Sequence, residues 1–135
     1  MTAKQYLRRT IYLRIQIRNL DERIQELRHR MTSVGAIRYD KISVQSSPDD
    51  PMSTNIAKLI DSEQKLLQLE ADLSELQVEI LEKLKRMDSD LYRTILTMRY
   101  LHGKQLRKIA EEINYSEGYV LKLHRQALQA FEQVM

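Results

Sequence analysis

The chain has 135 residues, a formal net charge of +3 at pH 7 and no cysteine, which excludes disulfides and thiolate metal sites. Charged residues make up 30% and aromatic residues 6%, with only three glycines and two prolines, and this composition favours long helices over a β-sandwich or a disordered chain. No segment is apolar enough for a signal sequence or a membrane span. We therefore expect a cytoplasmic protein without a membrane partner.

The charge is unevenly distributed along the chain. Residues 1–30 contain eight basic and three acidic side chains, a net charge of +5. Residues 31–87 have a net charge of −3, and residues 88–135 a net charge of +1. A mildly basic balance allows a nucleic-acid partner without requiring one, and most of the basic excess precedes residue 88.

The first 31 residues have apolar or small side chains at alternating steps of four and three. Such a heptad seam predicts a helix that packs along one partner. Its members are Tyr6, Thr10, Leu13, Ile17, Leu20, Ile24, Leu27 and Met31. A break is predicted from Thr32 to Ser53, because this stretch contains Gly35, Pro48 and Pro51. The apolar residues within it lack clean alternation, so they support a strand only weakly.

A second long helix is predicted from about Thr54 to Met87. Its apolar side comprises Leu59, Leu66, Leu69, Leu73, Leu76, Ile80, Leu84 and Met87. Two long helices joined by a loop most simply form an antiparallel hairpin. Additional apolar residues near its open end exceed what a two-helix seam uses; these are Leu7, Ile11, Ile15, Val78 and Leu81. We expect this end to pack on the C-terminal segment or on a second chain.

The last 48 residues predict three shorter helices. The first begins after the capping sequence Asp88-Ser89-Asp90 and ends near His102, before Gly103. The second runs from Lys104 to Ile113, and the third from Glu117 to about Val134. Asn114-Tyr115-Ser116 forms the turn between them, where Asn tolerates a positive φ and Ser116 can cap the third helix.

The core of this segment is predicted from helical spacing. The inward-facing residues are Leu91, Ile95, Leu96, Met98 and/or Leu101, Leu106, Ile109, Ala110, Ile113, Val120, Leu123, Ala127 and Phe131. The second and third helices have the spacing of a helix-turn-helix. The predicted fold is therefore all-α: a helical hairpin, coiled-coil-like, over residues 1–87 with a loop at 32–53, and a helix-turn-helix DNA-binding domain over residues 88–135.

Residues 88–131 resemble region four of bacterial sigma factors. The resemblance lies in two segments, Arg99-Tyr100-Leu101-His102-Gly103 and Ile109-Ala110-Glu111-Glu112-Ile113, and in the spaced residues Ser116, Val120, Leu123, Ala127 and Leu128. Small phage-encoded regulators of the ArpU type are similar, including a helical hairpin before the matching segment. The resemblance implies a DNA-binding transcription regulator of phage or prophage origin. It does not imply a complete sigma factor, because nothing resembles the promoter-melting region.

The positions of the third helix that would contact DNA, here called the reading face, depart from that family. The positions that match Glu117, Gly118 and Leu121 typically carry Arg, Glu and Arg in sigma region four, and only Lys122 keeps a polar donor. Three interpretations stay open: recognition of a different DNA sequence, weak DNA binding, or use of the fold to bind protein.

The third helix projects a set of side chains away from the predicted core. They are Gly118, Tyr119, Lys122, Arg125, Gln126 and Gln129. We expect Gly118 to permit close approach of the backbone to DNA, Tyr119 to contact a thymine methyl or phosphate, and Lys122 to reach base edges. Gln126 is a second candidate for base edges, and Arg125 for a base edge or a phosphate. The predicted phosphate contacts come from the second helix, at Lys104, Arg107 and Lys108. Ser116 completes the predicted set of DNA-binding residues.

No arrangement of residues predicts catalysis, a metal site or a cofactor. His29, His102 and His124 lie in different segments without metal-ligand spacing, and we expect His124 to be a partly packed surface residue. The adjacent carboxylates Glu111 and Glu112 point apart on a helix, so they form a poor acid–base pair.

The principal expected partner is double-stranded DNA. One alternative is a DNA-packaging protein like the small terminase subunits, which join a helix-turn-helix to long helices and normally assemble as rings. Another is a protein-interaction module whose surplus apolar residues dock on RNA polymerase. A homodimer formed through the helical hairpin is also left open.

Overall fold

The protein is all-α in this computed structural model, which describes residues 1–38 and 51–135, and the side chains of residues 1–32 and 52–135. No strand occurs in residues 1–38 and 51–135. The helices are α1 (Ala3–Arg38), α2 (Pro51–Leu84), α3 (Asp90–Leu96), α4 (Leu106–Ile113) and α5 (Glu117–Glu132). A π-helical segment, Thr97–Leu101, directly continues α3. The all-α prediction is confirmed.

The bounds of the two long helices differ from those predicted. α1 continues through Arg38 instead of breaking at Thr32. α2 begins at Pro51 instead of about Thr54 and ends at Leu84 instead of Met87. Pro51 is compatible with this start, because the first helical position needs no backbone N–H donor. The rest of the predicted loop and the possible strand at residues 39–44 lie outside the described residues; Ile37 is part of α1.

Short-range hydrogen bonds cap the first turns of α1 and α3. Thr2 and Gln5 form a reciprocal capping box: the Gln5 N–H donates to Thr2 Oγ1 at 3.2 Å, and the Thr2 N–H donates to Gln5 Oε1 at 2.9 Å. Such a pair satisfies two N–H groups that the first helical turn leaves free. The predicted cap Ser89 accepts a hydrogen bond from the Tyr92 N–H at 3.2 Å. These local signals specify where the helices start.

The chain divides into two compact units, of which one comprises residues 15–71. Within it, Arg28 of α1 forms an ion pair with Glu63 of α2, as expected for helices that run antiparallel. Ile24 and Leu27 of the heptad seam are buried. Leu20 and Leu69 line a shared surface groove, so the predicted seam and the apolar side of α2 face each other.

The other unit comprises residues 1–14 and 72–135. Its main core joins the start of α1, the end of α2 and the C-terminal helices, through Ala3, Tyr6, Leu7, Leu76, Ile80, Leu84, Met87, Leu96, Tyr100, Ala127 and Phe131. The rings of Tyr6 and Phe131 are stacked, with their centroids 6.1 Å apart. The Tyr6 hydroxyl donates to Glu79 Oε2 at 2.7 Å. The first of the two expected packing arrangements is therefore confirmed: the start of α1 and the end of α2 pack on the C-terminal helices.

The surplus apolar residues have different environments. Leu7 is fully buried and Ile11 packs against the main core. Ile15, Val78 and Leu81 stay exposed. Packing within the chain therefore accounts for only part of the predicted surplus.

The π-helical segment corrects one part of the predicted core. The His102 N–H donates to the Thr97 carbonyl, five residues earlier, at 3.0 Å, and this wider turn is characteristic of a π-helix. Tyr100 is the buried residue of the segment, whereas Met98 and Leu101 are half-buried. Tyr100 was not among the predicted core residues; a buried tyrosine needs a partner for its hydroxyl, and helical spacing alone does not reveal one.

Candidate nucleic-acid interface

The helix-turn-helix is formed by α4, a three-residue turn and α5. Asn114 has a left-handed backbone with φ 62°, and the Tyr115 N–H donates to the Ala110 carbonyl at 3.1 Å. Ser116 Oγ then accepts a hydrogen bond from the Tyr119 N–H at 3.2 Å and caps α5. Asparagine enters the left-handed region more readily than most residues. The predicted turn and both of its special residues are confirmed.

A small core sets the angle between the two helices. It consists of Ile95, Ile109, Ala110, Val120 and Leu123, all buried. Ala110 leaves room for close approach of the helices because its side chain is a single methyl group. The second helix is shorter than predicted, since it begins at Leu106 rather than Lys104. This core holds α5 with its opposite face exposed to solvent.

Most of the predicted reading face is exposed. Gly118, Tyr119, Lys122 and Arg125 all lie on the solvent side of α5, together with Leu121. The Tyr119 ring packs edge-to-face on Tyr115 at a centroid distance of 5.1 Å. A methyl group added at Gly118 would meet no atom within 4 Å, so packing within the protein does not require glycine there.

Gln126 and Ser116 have structural partners in addition to their predicted DNA contacts. Gln126 is half-buried, and its Oε1 accepts a hydrogen bond from the Tyr92 hydroxyl at 3.0 Å. Ser116 remains exposed, while its hydroxyl oxygen is engaged in the cap. Both residues therefore stabilise the position of α5, in addition to any contact that they make with DNA.

The predicted phosphate contacts differ in their availability. Lys104 Nζ lies 2.8 and 3.0 Å from the two carboxylate oxygens of Glu112, and this hydrogen bond lowers the pKa of Glu112. Lys108 Nζ lies 3.8 Å from Glu111 Oε2. Arg107 is exposed and takes part in no ion pair within the described part of the chain. Arg107 is thus the most available of the three cations.

A buried polar pair that the sequence analysis missed lies beneath α5. The Tyr100 hydroxyl and His124 Nε2 are 2.8 Å apart, and both side chains are buried. Burial, together with the smaller effect of the positive charges of Arg99, Lys4 and Arg125, lowers the pKa of His124 to about 4. His124 is therefore neutral at pH 7. The expectation of a partly packed surface residue was wrong, because the hydroxyl of Tyr100 supplies a buried partner for the ring.

The charges near this pair come from distant parts of the chain. Lys4 and Arg8 of α1, Arg99 of the π-helical segment and Arg125 of α5 line one cleft of about 340 Å³. Sequence reasoning predicted only Arg125 among them. The excess of +5 over residues 1–30 was the available signal, but it did not reveal which residues the fold brings beside α5.

Residues 89–131 match the family model described as Sigma-70, region 4. The match includes α3, the π-helical segment and α4, and most of α5. The C-terminal part of the protein is thus a sigma region 4-like helix-turn-helix domain, the kind of domain that binds DNA in transcription regulators. No curated protein and no solved structure matches the chain. None of the helices in the described ranges has the length and apolar character that spanning a membrane requires.

Proposed function

We propose that this protein is a transcription regulator that binds duplex DNA sequence-specifically through α5. The supporting observation is the turn from Asn114 to Ser116, which joins two helices over a shared core within the segment that matches Sigma-70, region 4. In helix-turn-helix proteins the second helix enters the major groove and its first turns contact base edges. Here those turns carry Gly118, Tyr119 and Lys122.

The finer parts of this proposal have separate grounds. The resemblance to small regulators of the ArpU type supports an origin in a phage or prophage of a bacterial host. The composition and the sequence motifs support a role in the cytoplasm and binding without catalysis. Because Leu121 cannot donate hydrogen bonds as an arginine does, we propose a target that differs from the usual bacterial promoter element.

Selection of bound fragments from random duplex DNA tests sequence-specific binding. We expect an enriched site, and we expect Lys122→Ala to weaken binding to that site by about 5- to 150-fold, the range for one lost base contact. Lys58→Ala is the matched control, because Lys58 is an exposed lysine outside the C-terminal domain. Absence of any enriched site, with no mobility shift on mixed duplexes, would contradict the proposal.

A second candidate function is docking on RNA polymerase. It is favoured by Val78 and Leu81, which lie three residues apart on α2 and are 62% and 43% exposed. Apolar side chains left exposed next to each other are typical of protein-binding surfaces. We expect Val78→Glu/Leu81→Glu to abolish binding to purified RNA polymerase while DNA binding persists. Unchanged binding to the polymerase in this variant would count against the surface.

The assembly state of the protein distinguishes the remaining alternatives. A DNA-packaging function like that of small terminase subunits normally requires a ring, whereas a regulator acts as a monomer or as a homodimer through the helical hairpin. Light scattering of the full chain distinguishes them. We expect a monomer or dimer, and a ring of many subunits would favour DNA packaging.

A further inference from the structure

Four cationic side chains converge on the cleft beside α5. Lys4 and Arg8 reach it from α1, and Arg99 reaches it from the π-helical segment. Arg125 reaches it from α5 itself. No carboxylate lines the cleft in the described part of the chain. Like charges held this close repel one another, so the arrangement favours an anionic ligand.

These cations are not neutralised within the protein. Over residues 1–38 and 51–135, no ion pair involves any of the four. Arg99 donates one hydrogen bond, from Nη1 to the Lys104 carbonyl at 3.0 Å, which orients its guanidinium without compensating its charge. Burial is the main cause of the lowered pKa of His124, and the charges of Arg99, Lys4 and Arg125 lower that pKa in the same direction.

The cleft is continuous with the predicted reading face. Leu121 and Arg125 line it from α5, and Lys122 is the neighbour of Leu121 in the sequence. Leu106, the first residue of α4, lines it from the other helix. No side chain caps this end of α4, so its first N–H groups add to the positive potential. An anion in the cleft would therefore lie directly beside whatever α5 contacts.

We propose that Lys4, Arg8, Arg99 and Arg125 form a phosphate-binding surface that holds the DNA backbone next to the base pairs read by α5. This inference rests on the proposed function, and it adds the N-terminal helix to the DNA interface. The phosphodiester backbone is the anion that continuity with α5 favours. Backbone contacts position a protein on DNA and contribute affinity without sequence information.

The test compares two double variants of equal charge in the full chain. Lys4→Gln/Arg8→Gln removes two cations from the proposed surface, and both residues are exposed, so the fold is expected to persist. The matched control is Arg30→Gln/Lys58→Gln, which removes one arginine and one lysine at exposed positions elsewhere. Thermal melting followed by circular dichroism checks that both variants are folded.

Affinity for the selected duplex and for an unrelated duplex is then measured over a range of salt concentrations. We expect Lys4→Gln/Arg8→Gln to weaken both by a similar factor, of about tenfold or more at low salt. The slope of log affinity against log salt should fall by about 1.8, since each phosphate contact contributes about 0.9. The control should retain the wild-type slope.

These measurements distinguish failure of the proposed function from failure of the phosphate-binding surface. If the wild-type protein binds no duplex, the proposed function fails and this surface fails with it. If the wild type binds but Lys4→Gln/Arg8→Gln retains the affinity and slope of the control, DNA binding stands and the phosphate surface is overturned. On a duplex shortened at the end that lies beside α5, the two variants should bind with the same affinity. A remaining difference in affinity would also contradict the assignment.

Discussion

The Tyr100 hydroxyl lies 2.8 Å from His124 Nε2 and links the π-helical segment to α5 in the interior of the domain. Their rings are also stacked, with centroids 5.8 Å apart. Burial raises the pKa of Tyr100 and lowers that of His124, so both groups are neutral at pH 7. Because His124 lies on the inner side of α5, the pair couples the position of the predicted reading helix to the packing below it.

Acidification should destabilise the fold through His124. The pKa of His124 is about 4 in the folded protein against its ordinary value of 6.5, so between these pH values the unfolded chain binds more protons. The free energy of unfolding is therefore highest above pH 6.5 and falls as the pH decreases towards 4. The contribution is at most about 3.5 kcal/mol, because each pKa unit corresponds to about 1.4 kcal/mol.

Urea unfolding at pH 7 and pH 4.5 measures this effect. We expect His124→Gln to lose less stability on acidification than the wild type, because glutamine does not titrate. His29, His102 and the carboxyl groups are present in both proteins and serve as an internal control. An equal loss in the two proteins would show that His124 is not responsible.

Removal of the Tyr100 hydroxyl should cost stability. Tyr100→Phe leaves His124 Nε2 without its buried partner, and we expect a loss of about 1–3 kcal/mol in the free energy of unfolding. Tyr92→Phe is the comparison, because its hydroxyl bonds to Gln126 at a half-buried position. Chemical denaturation of both variants should give the larger loss for Tyr100→Phe; the reverse order would contradict the importance of the pair.

The glycines at 103 and 118 should respond differently to alanine. Gly103 has φ +69°, and an added Cβ would lie 3.2 Å from the Arg14 side chain, so we expect Gly103→Ala to lose about 1 kcal/mol or more. Gly118 is helical with open space around it. Gly118→Ala should gain less than about 0.5–1 kcal/mol, the helix-propensity difference for a helix interior, because Gly118 is the second residue of α5.

Thermal melts of the two glycine variants test the contrast in stability. If Gly118 permits close approach to DNA, its alanine variant should also bind the selected duplex more weakly despite its greater stability. A Gly118→Ala variant with unchanged DNA affinity would remove that role from Gly118, and equal melting shifts for the two variants would contradict the structural argument.

The cap at Ser116 permits a separation of stability from DNA binding. Ser116→Ala should lose about 1 kcal/mol, because the Tyr119 N–H loses its acceptor. Ser116→Asp keeps an acceptor and should preserve stability, but its negative charge would face DNA and weaken binding. Denaturation and mobility-shift measurements on both variants check this. Strong DNA binding by Ser116→Asp would indicate that the start of α5 lies away from the phosphates.

The sequence by itself was sufficient for the features that depend on near neighbours. The caps at Ser89 and Ser116 each bond to an N–H three residues later, and the positive φ of Asn114 is a property of that residue in its turn. Such interactions can be read from a short window of residues. Helical spacing likewise predicted the buried positions Ile109, Ala110 and Val120.

Only the tertiary structure decided the features that join distant residues. Tyr100 and His124 are 24 residues apart in the chain, and neither periodicity nor composition pairs a tyrosine with a histidine. Lys4 and Arg125 lie at opposite ends of the chain yet line one cleft, because the apolar residues of α1 pack on the C-terminal helices. The helix-turn-helix followed from local chemistry, whereas the burial of its polar pair and the basic surface beside it followed from packing.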